Sequence, residues 1–423
     1  MNIFLEKIKL LFGDKSLRNR LLFVLGALAV FRVFAATPIP GIDAAQLQRF
    51  FSNNQFFGML NLFSGGGLSN LSIVMLGVGP YITASIILQL LTMMVPRLKQ
   101  LYQEEGELGR TRFSQYTRLL TLPIALLQGV SFLLILQREG IFAPLSGFQF
   151  AANLLVIVAG SVLLMWIGEL ISEFGLGNGI SILIFAGIVA RLPRDISQAI
   201  FSFTPAQIPT YIAFLAVAAV IVMAVVVVTE AERPVPVTYA KRIRGNKFFG
   251  GTSTYLPLRL NQAGVIPIIF AISLLLIPQM IASFFATSSV AWLAGLSSSI
   301  LHVMQNLLLY GIVYFFLVFI FTYFYTAVTF DPHQIAENLQ KNGAFIPGVR
   351  PGPSTVEYLG KVITRITFVG ALFLGVIAVL PIMMQSVTGI QSLTIGGTAL
   401  LIVVSVILDL ARRVDAQISI REY

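Results

Sequence analysis

A hydrolytic, redox or ion-coupled protein needs a few reactive side chains at fixed spacing, and this chain of 423 residues offers few. It has no cysteine, which removes disulfides, thiolate metal sites and a cysteine nucleophile. Its only histidines are His302 and His333, so no HExxH zinc helix exists. No GxSxG elbow and no Walker loop is present. Gly175, Gly177 and Gly179 match part of a dinucleotide loop, but no strand precedes them and apolar runs flank them. Nucleotide binding is rejected, and no catalytic residue, cofactor or metal is expected. Glu169 and Asp409 lie near the ends of apolar runs. Proton- or sodium-coupled transport usually needs ionisable relays deeper in the membrane, so a coupled transporter is weakened but stays open.

The remaining chemistry is cationic. There are 28 Lys and Arg against 18 Asp and Glu, a formal net charge of +10. Ten apolar runs divide the sequence: 21–36, 73–95, 119–136, 152–171, 179–192, 209–229, 262–284, 303–329, 361–382 and 395–410. Alternate gaps between them hold 23 of the basic residues. The opposite gaps hold only Arg49, Arg138, Arg191 and Arg194, and Arg32 lies inside the first run. That asymmetry is the positive-inside pattern of a multispanning membrane protein with both termini in the cytoplasm. Composition agrees: 57% of residues are hydrophobic and 11% charged, where soluble domains carry roughly 25% charged residues. The run 179–192 is short enough to be re-entrant, but only with it counted do the later basic loops fall on the cytoplasmic side. A lone arginine such as Arg32 can snorkel or bond neighbouring carbonyls.

Glycine clusters break the runs at the bilayer edge. Asn61 to Ile73, NLFSGGGLSNLSI, is too polar to cross alone, yet Leu62, Phe63, Leu68, Leu71 and Ile73 can line one side of a short helix. Joined through glycines to the next span, it suggests backbone buried in protein or lining a cavity. The alternative is an external loop with a glycine turn. Gly168 to Ser181 predicts a tight, capped reversal with Glu169, Glu173 and Asn178 as polar partners. Two long basic gaps complete the pattern. The first, 230–260, mixes Gly-Gly with β-branched and aromatic residues around Lys241, Arg242, Arg244 and Lys247, which predicts a hairpin-like finger. The second, 330–365, ends in a Pro- and Gly-punctuated loop around Arg350. Both exceed what a mere connector needs, so docking is expected. These features alone reach a channel or transporter with a cytoplasmic partner.

Seven stretches, in order, resemble the SecY/Sec61-alpha family of protein-translocase pore subunits: TPIPGIDAAQL (Thr37 to Leu47), NLFSGGGLS (Asn61 to Ser69), GVGPYITASIILQLLT (Gly77 to Thr92), GLGNGISILIFAGIVA (Gly175 to Ala190), LRLNQAGVIPIIFA (Leu258 to Ala271), NGAFIPGVRPG (Asn342 to Gly352) and IGGTALLIVV (Ile395 to Val404). The resemblance implies an all-α membrane fold of ten transmembrane helices. Two pseudo-symmetric halves, 1–192 and 193–423, would close like a clam shell around an hourglass pore. It also implies a protein-conducting channel of the bacterial cytoplasmic membrane that passes unfolded secretory polypeptides and releases membrane segments sideways. Small-solute transport is the alternative.

The resemblance implies a role for each segment. Asn61, Phe63, Ser64, Gly65, Gly66, Gly67, Leu68 and Ser69 belong to a plug, a short helix filling the external funnel at rest. Val78, Ile82, Ile180, Ile184, Ile269 and Ile402 match the pore ring, with Val78 where isoleucine is commoner. Aliphatic side chains suit an arbitrary unfolded substrate, because they offer no specific bonds and a narrow apolar neck dewets. The alternative for each is ordinary core packing. A lateral gate is implied between the second and seventh spans, with Thr83, Ser85, Gln89 and Thr92 on one side and Asn261 and Gln262 on the other. Their hydroxyls and amides can bond across the seam or back to their own helix. Lys241, Arg242, Arg244, Lys247 and Arg350 would dock the SecA motor or the ribosome, protein and rRNA alike. SecE and SecG are the implied membrane partners, and signal sequences and the lipid bilayer the others.

Overall fold

The computed structural model describes residues 14–39, 64–138 except 65, 69 and 104, residue 140, 146–193 except 176, residues 197, 201 and 205, 208–239, 242–244, 247–249, 253–285, 290–388 and 391–422. Helices dominate. Each of the ten apolar runs contains one, and the breaks between helices follow local chemistry.

Helix α1 (Lys15–Ala36) begins where Asp14 accepts a hydrogen bond from Ser16 N at 2.8 Å. Helix α2 (Gly79–Met94) starts on Pro80, whose fixed φ suits a first turn. It ends before Pro96, where the chain bends by 116° into the short polar helix α3 (Pro96–Gln103). Helix α4 (Gly106–Arg138) follows, and α5 (Gly147–Phe174) opens with a reciprocal Ser146–Gln149 capping box. Then come α6 (Gly179–Val189) and α7 (Ile208–Glu230).

Among the described residues, the strands lie in and beside the basic loops. β1 (Glu232–Tyr239) pairs antiparallel with β4 (Ser253–Arg259), from Glu232 opposite Arg259 to Thr238 opposite Ser253. Between them β2 (Arg242–Arg244) and β3 (Lys247–Phe249) form a second hairpin, so the expected finger exists. Helices α8 (Ile266–Phe285), α9 (Ala291–Gln305), α10 (Leu307–Thr329) and α11 (Pro332–Lys341) precede β5 (Ala344–Phe345). The long helices α12 (Pro353–Thr388) and α13 (Gln391–Glu422) complete the chain.

By length and hydropathy α1, α4, α5, α10 and α12 can each cross a bilayer, as can the bent α2–α3 pair counted as one. Large apolar side chains stay exposed around them, among them Leu25, Leu119, Leu155, Leu215, Phe316 and Phe368. In water such a belt would aggregate; in lipid it is the expected outer surface. Arg412 ties α13 to α7 at the basic end. It donates to Thr229 O at 2.6 Å and to Glu230 Oε1 at 2.8 Å.

Three buried apolar clusters organise the interior. A central one joins residues of α1, α2, α5, α6, α7, α8, α10, α12 and α13. A second surrounds residues 68–76. The third lies under the strands, where Val235, Val237 and Leu258 meet Ala344, Ile346 and Leu359.

Candidate channel, plug and docking surface

All six predicted ring positions meet in the central cluster. Val78, Ile82, Ile184, Ile269 and Ile402 are buried in it, and Ile180 packs against it half-buried. They come from four helices: α2 with its N-cap, α6, α8 and α13. Two pairs, Val78 with Ile82 and Ile180 with Ile184, are four residues apart and so share one helix face. Asn178 starts α6 by accepting from Ile180 N at 3.0 Å and Ser181 N at 3.3 Å, which makes the predicted reversal capped. Gly168 of α5 makes room for Ile180. A Cβ there would lie 2.5 Å from Ile180 Cδ1.

The glycine-rich segment sits beside this cluster. Its described residues, 64, 66–68 and 70–78, form successive turns in place of the expected short helix; 61–63, 65 and 69, with Asn61, Phe63, Gly65 and Ser69, lie outside the described residues. Glycine chemistry explains the turns. Gly66 and Gly77 take φ of 84° and 61°, which favours glycine. Ser64 Oγ accepts from Leu68 N at 2.9 Å, and Ser72 N donates to Gly67 O at 2.8 Å. The segment is stitched to the end of α1 by two backbone bonds, Ile39 N to Leu71 O at 2.9 Å and Ile73 N to Thr37 O at 3.1 Å.

Leu68, Leu71 and Met75 are fully buried against Phe132, Leu133 and Leu136 of α4, Ile157 of α5 and Leu276 of α8. Ile73 packs on both this cluster and the central one. Ser161 Oγ donates to Gly77 O at 2.9 Å. Gly160 lies directly under the Ile73 carbonyl, where a Cβ would collide. Two arginines that break the charge pattern meet here. A Cβ on Gly66 would lie 3.6 Å from Arg191 Cγ and 4.0 Å from Arg32 Nη1. Their convergence was invisible in sequence, since 159 residues separate them.

The seam between α2 and α8 holds the predicted gate residues, and the two helices pack together. The polar groups there bond locally. Gln89 Nε2 donates to Ser85 Oγ at 3.1 Å, and Thr92 Oγ1 to Gln89 O at 2.6 Å. Asn261 Nδ2 donates to Gly264 O at 3.2 Å, closing the turn that starts α8. Thr83 and Asn261 are buried, and Gln262 is half-buried. Cross-seam amide bonds are not found among the described residues. Gln89 Oε1 and Asn261 Oδ1 are instead buried without a hydrogen-bond partner. Short reach to a neighbour on the same element wins over longer reach across the seam.

Glu169, read as an interface group, accepts from Arg118 Nε at 2.8 Å across α4 and α5.

The two basic loops form one body. β5 adds to the edge of β1, with Thr238 opposite Phe345 and Tyr239 opposite Ala344, so the sheet order is β4-β1-β5. Arg350 is exposed on the adjoining turn, and its carbonyl accepts from Thr355 Oγ1 at 2.9 Å. Among the described residues its guanidinium has no ion pair. The backbones of Arg242, Arg244 and Lys247 lie in the β2–β3 hairpin; Lys241 lies outside the described residues.

A family model described as SecY matches residues 72–411. The chain belongs to the SecY family. Protein translocase subunit SecY of Mycobacterium tuberculosis is 43% identical, with 96% of each chain covered. Its counterpart from Streptomyces scabiei is 41% identical over 97% of each. Among solved structures, one described as a protein conducting channel has a TM-score of 0.62 at 19% identity. It covers 93% of this chain and 90% of that one. Sec61 in a canine ribosome–channel complex has a TM-score of 0.59 at 18% identity, with the same coverage. These two likenesses carry the fold, an all-α membrane protein of SecY architecture.

Proposed function

We propose that this SecY-family chain is a passive, gated channel for unfolded secretory polypeptides in the bacterial cytoplasmic membrane. Ten crossings would place both termini and both docking loops in the cytoplasm, with halves 1–192 and 193–423 hinged around the pore. The observation that carries the reading is the gathering of six aliphatic side chains from four helices beside a seated glycine-rich segment. A substrate of arbitrary sequence needs a neck without hydrogen-bond partners, and that neck must dewet when empty.

In this reading the turns of 64–78 are the plug. Two backbone bonds to the end of α1 hold it, each worth about 0.5–1.5 kcal/mol net. Arg32 and Arg191 flank it at Gly66. The α2–α8 seam is the lateral gate. Its orphaned amide oxygens make the closed seam less than fully satisfied, which lowers the cost of parting it. Arg350 and the basic hairpin receive an acidic or phosphate-bearing partner, the SecA motor or the ribosome, and SecE and SecG complete the membrane complex. Hydrolysis of ATP belongs to the motor.

The test replaces Ile82 and Ile184 together by serine in vesicles holding the reconstituted protein. Resting ion conductance rises if these residues form the seal. Conductance equal to wild type would place the constriction elsewhere.

A further inference from the structure

One helix outside the channel machinery has an unexplained surface. Helix α9 follows α8 and precedes α10, on the face opposite the basic loops in the proposed topology. Its 15 residues extend about 22 Å, short of the roughly 30 Å hydrocarbon core, so it does not cross. Asn306 fixes the break from α10. It ends α9 in an extended conformation, and its side chain accepts from Leu308 N at 3.1 Å and Leu309 N at 3.2 Å.

The helix is two-faced. Leu293, Ser297, Leu301 and Met304, at spacings of three and four, turn inward, and Met304 packs on the central cluster. The outward side carries Trp292 at 65% exposure and Leu296 at 56%, followed by Ser299 and His302. From Val290 to Asn306 there is no Lys, Arg, Asp or Glu. The apolar patch continues onto the exposed Ile281 of α8 and Leu308 and Ile312 of α10, residues of the lipid-facing belt. A helix that carries an exposed tryptophan beside the lipid belt and has no charge suits the membrane–water boundary.

We propose that α9 is an interfacial helix that lies on the outer leaflet, with Trp292 and Leu296 inserted at the boundary between headgroups and acyl chains. The inference rests on the ten-crossing topology only for which leaflet is meant; the depth does not depend on it. Without basic residues, insertion is driven by apolar area and is indifferent to anionic lipid. The bound helix gives the gate helix α8 a fixed attachment to the bilayer at the end opposite its docking strands.

The absence of cysteine makes the test direct. Leu296→Cys is labelled with an environment-sensitive fluorophore in the full chain, with Phe316→Cys on α10 as a mid-membrane reference. Both are reconstituted in vesicles containing lipids spin-labelled near the headgroup or near the acyl terminus. The Leu296 site loses most fluorescence to the shallow label, the Phe316 site to the deep one, equally in phosphatidylcholine and in mixtures with phosphatidylglycerol. Quenching of the Leu296 site only by aqueous iodide overturns the proposal, because the helix then stands in water. Quenching mainly by the deep label overturns it as well. So does protection from every quencher, which marks a covered protein surface. Sidedness is read from iodide added outside, and a wrong side would refute the topology while leaving the depth result intact.

Discussion

In the proposed channel, single glycines set how tightly the resting state closes. Gly160 permits the Ile73 carbonyl to rest on α5, and Gly168 permits Ile180 to reach the ring. Gly160→Ala puts a methyl group where a backbone oxygen sits, and overpacking of this kind costs about 1–3 kcal/mol. The expected result is a shift of the seated plug population by about fivefold or more, read as raised resting ion leak. Normal leak with lowered thermal stability would mean that α5 moves and the plug stays seated. Neither glycine stands out in the sequence, because helix-packing glycines look alike until their neighbours are known. The proposed ring rests on family resemblance, since aliphatic residues fill every span. The gate residues were legible as polar groups on apolar helices, but not their bonding. Which of two reachable acceptors an amide takes depends on rotamers and on the local turn at Gly264.

Among the elements, the helices were the legible part. Long apolar runs, Pro96 after α2, Asn178 before α6 and the Ser146–Gln149 box each act through neighbouring residues. The strand β5 was not legible. Two residues carry no alternation, and their partners lie 105 and 107 positions earlier in the chain. That pairing joins the basic finger and the Arg350 turn into one body, the proposed docking platform, whose β4 leads into α8, the proposed gate helix. Opposed antiparallel Cα atoms stand about 4.5–5.5 Å apart, inside the range of a disulfide. Thr238→Cys with Phe345→Cys should therefore crosslink on oxidation, and the oxidised protein should still export precursors in a motor-driven assay. Failure of export after crosslinking, restored by reductant, would show that the two loops must separate during the cycle.

At the scale of the molecule, three apolar clusters organise the interior, and the proposed function reads them as neck, plug seat and docking platform. The expected sidedness rests on the charge pattern along the sequence, because that pattern is written in gap composition and needs no folding. The glycine-rich stretch was expected as a short helix, and its described residues form a chain of turns, because their positive-φ glycines and serine bonds favour tight reversals over helix. Ile73 touches both the central cluster and the one around residues 68–76, so in the proposed mechanism withdrawal of the plug and widening of the ring are coupled. The most direct test of the central claim places a single cysteine at Ile184, 1% exposed in the resting channel. A secretory precursor carrying its own single cysteine is stalled partway across and the sample oxidised. The account predicts a disulfide adduct at Ile184 that depends on a functional signal sequence. Adducts only at lipid-facing control positions, with none at Ile184, would contradict it, because the polypeptide would then pass somewhere other than this neck.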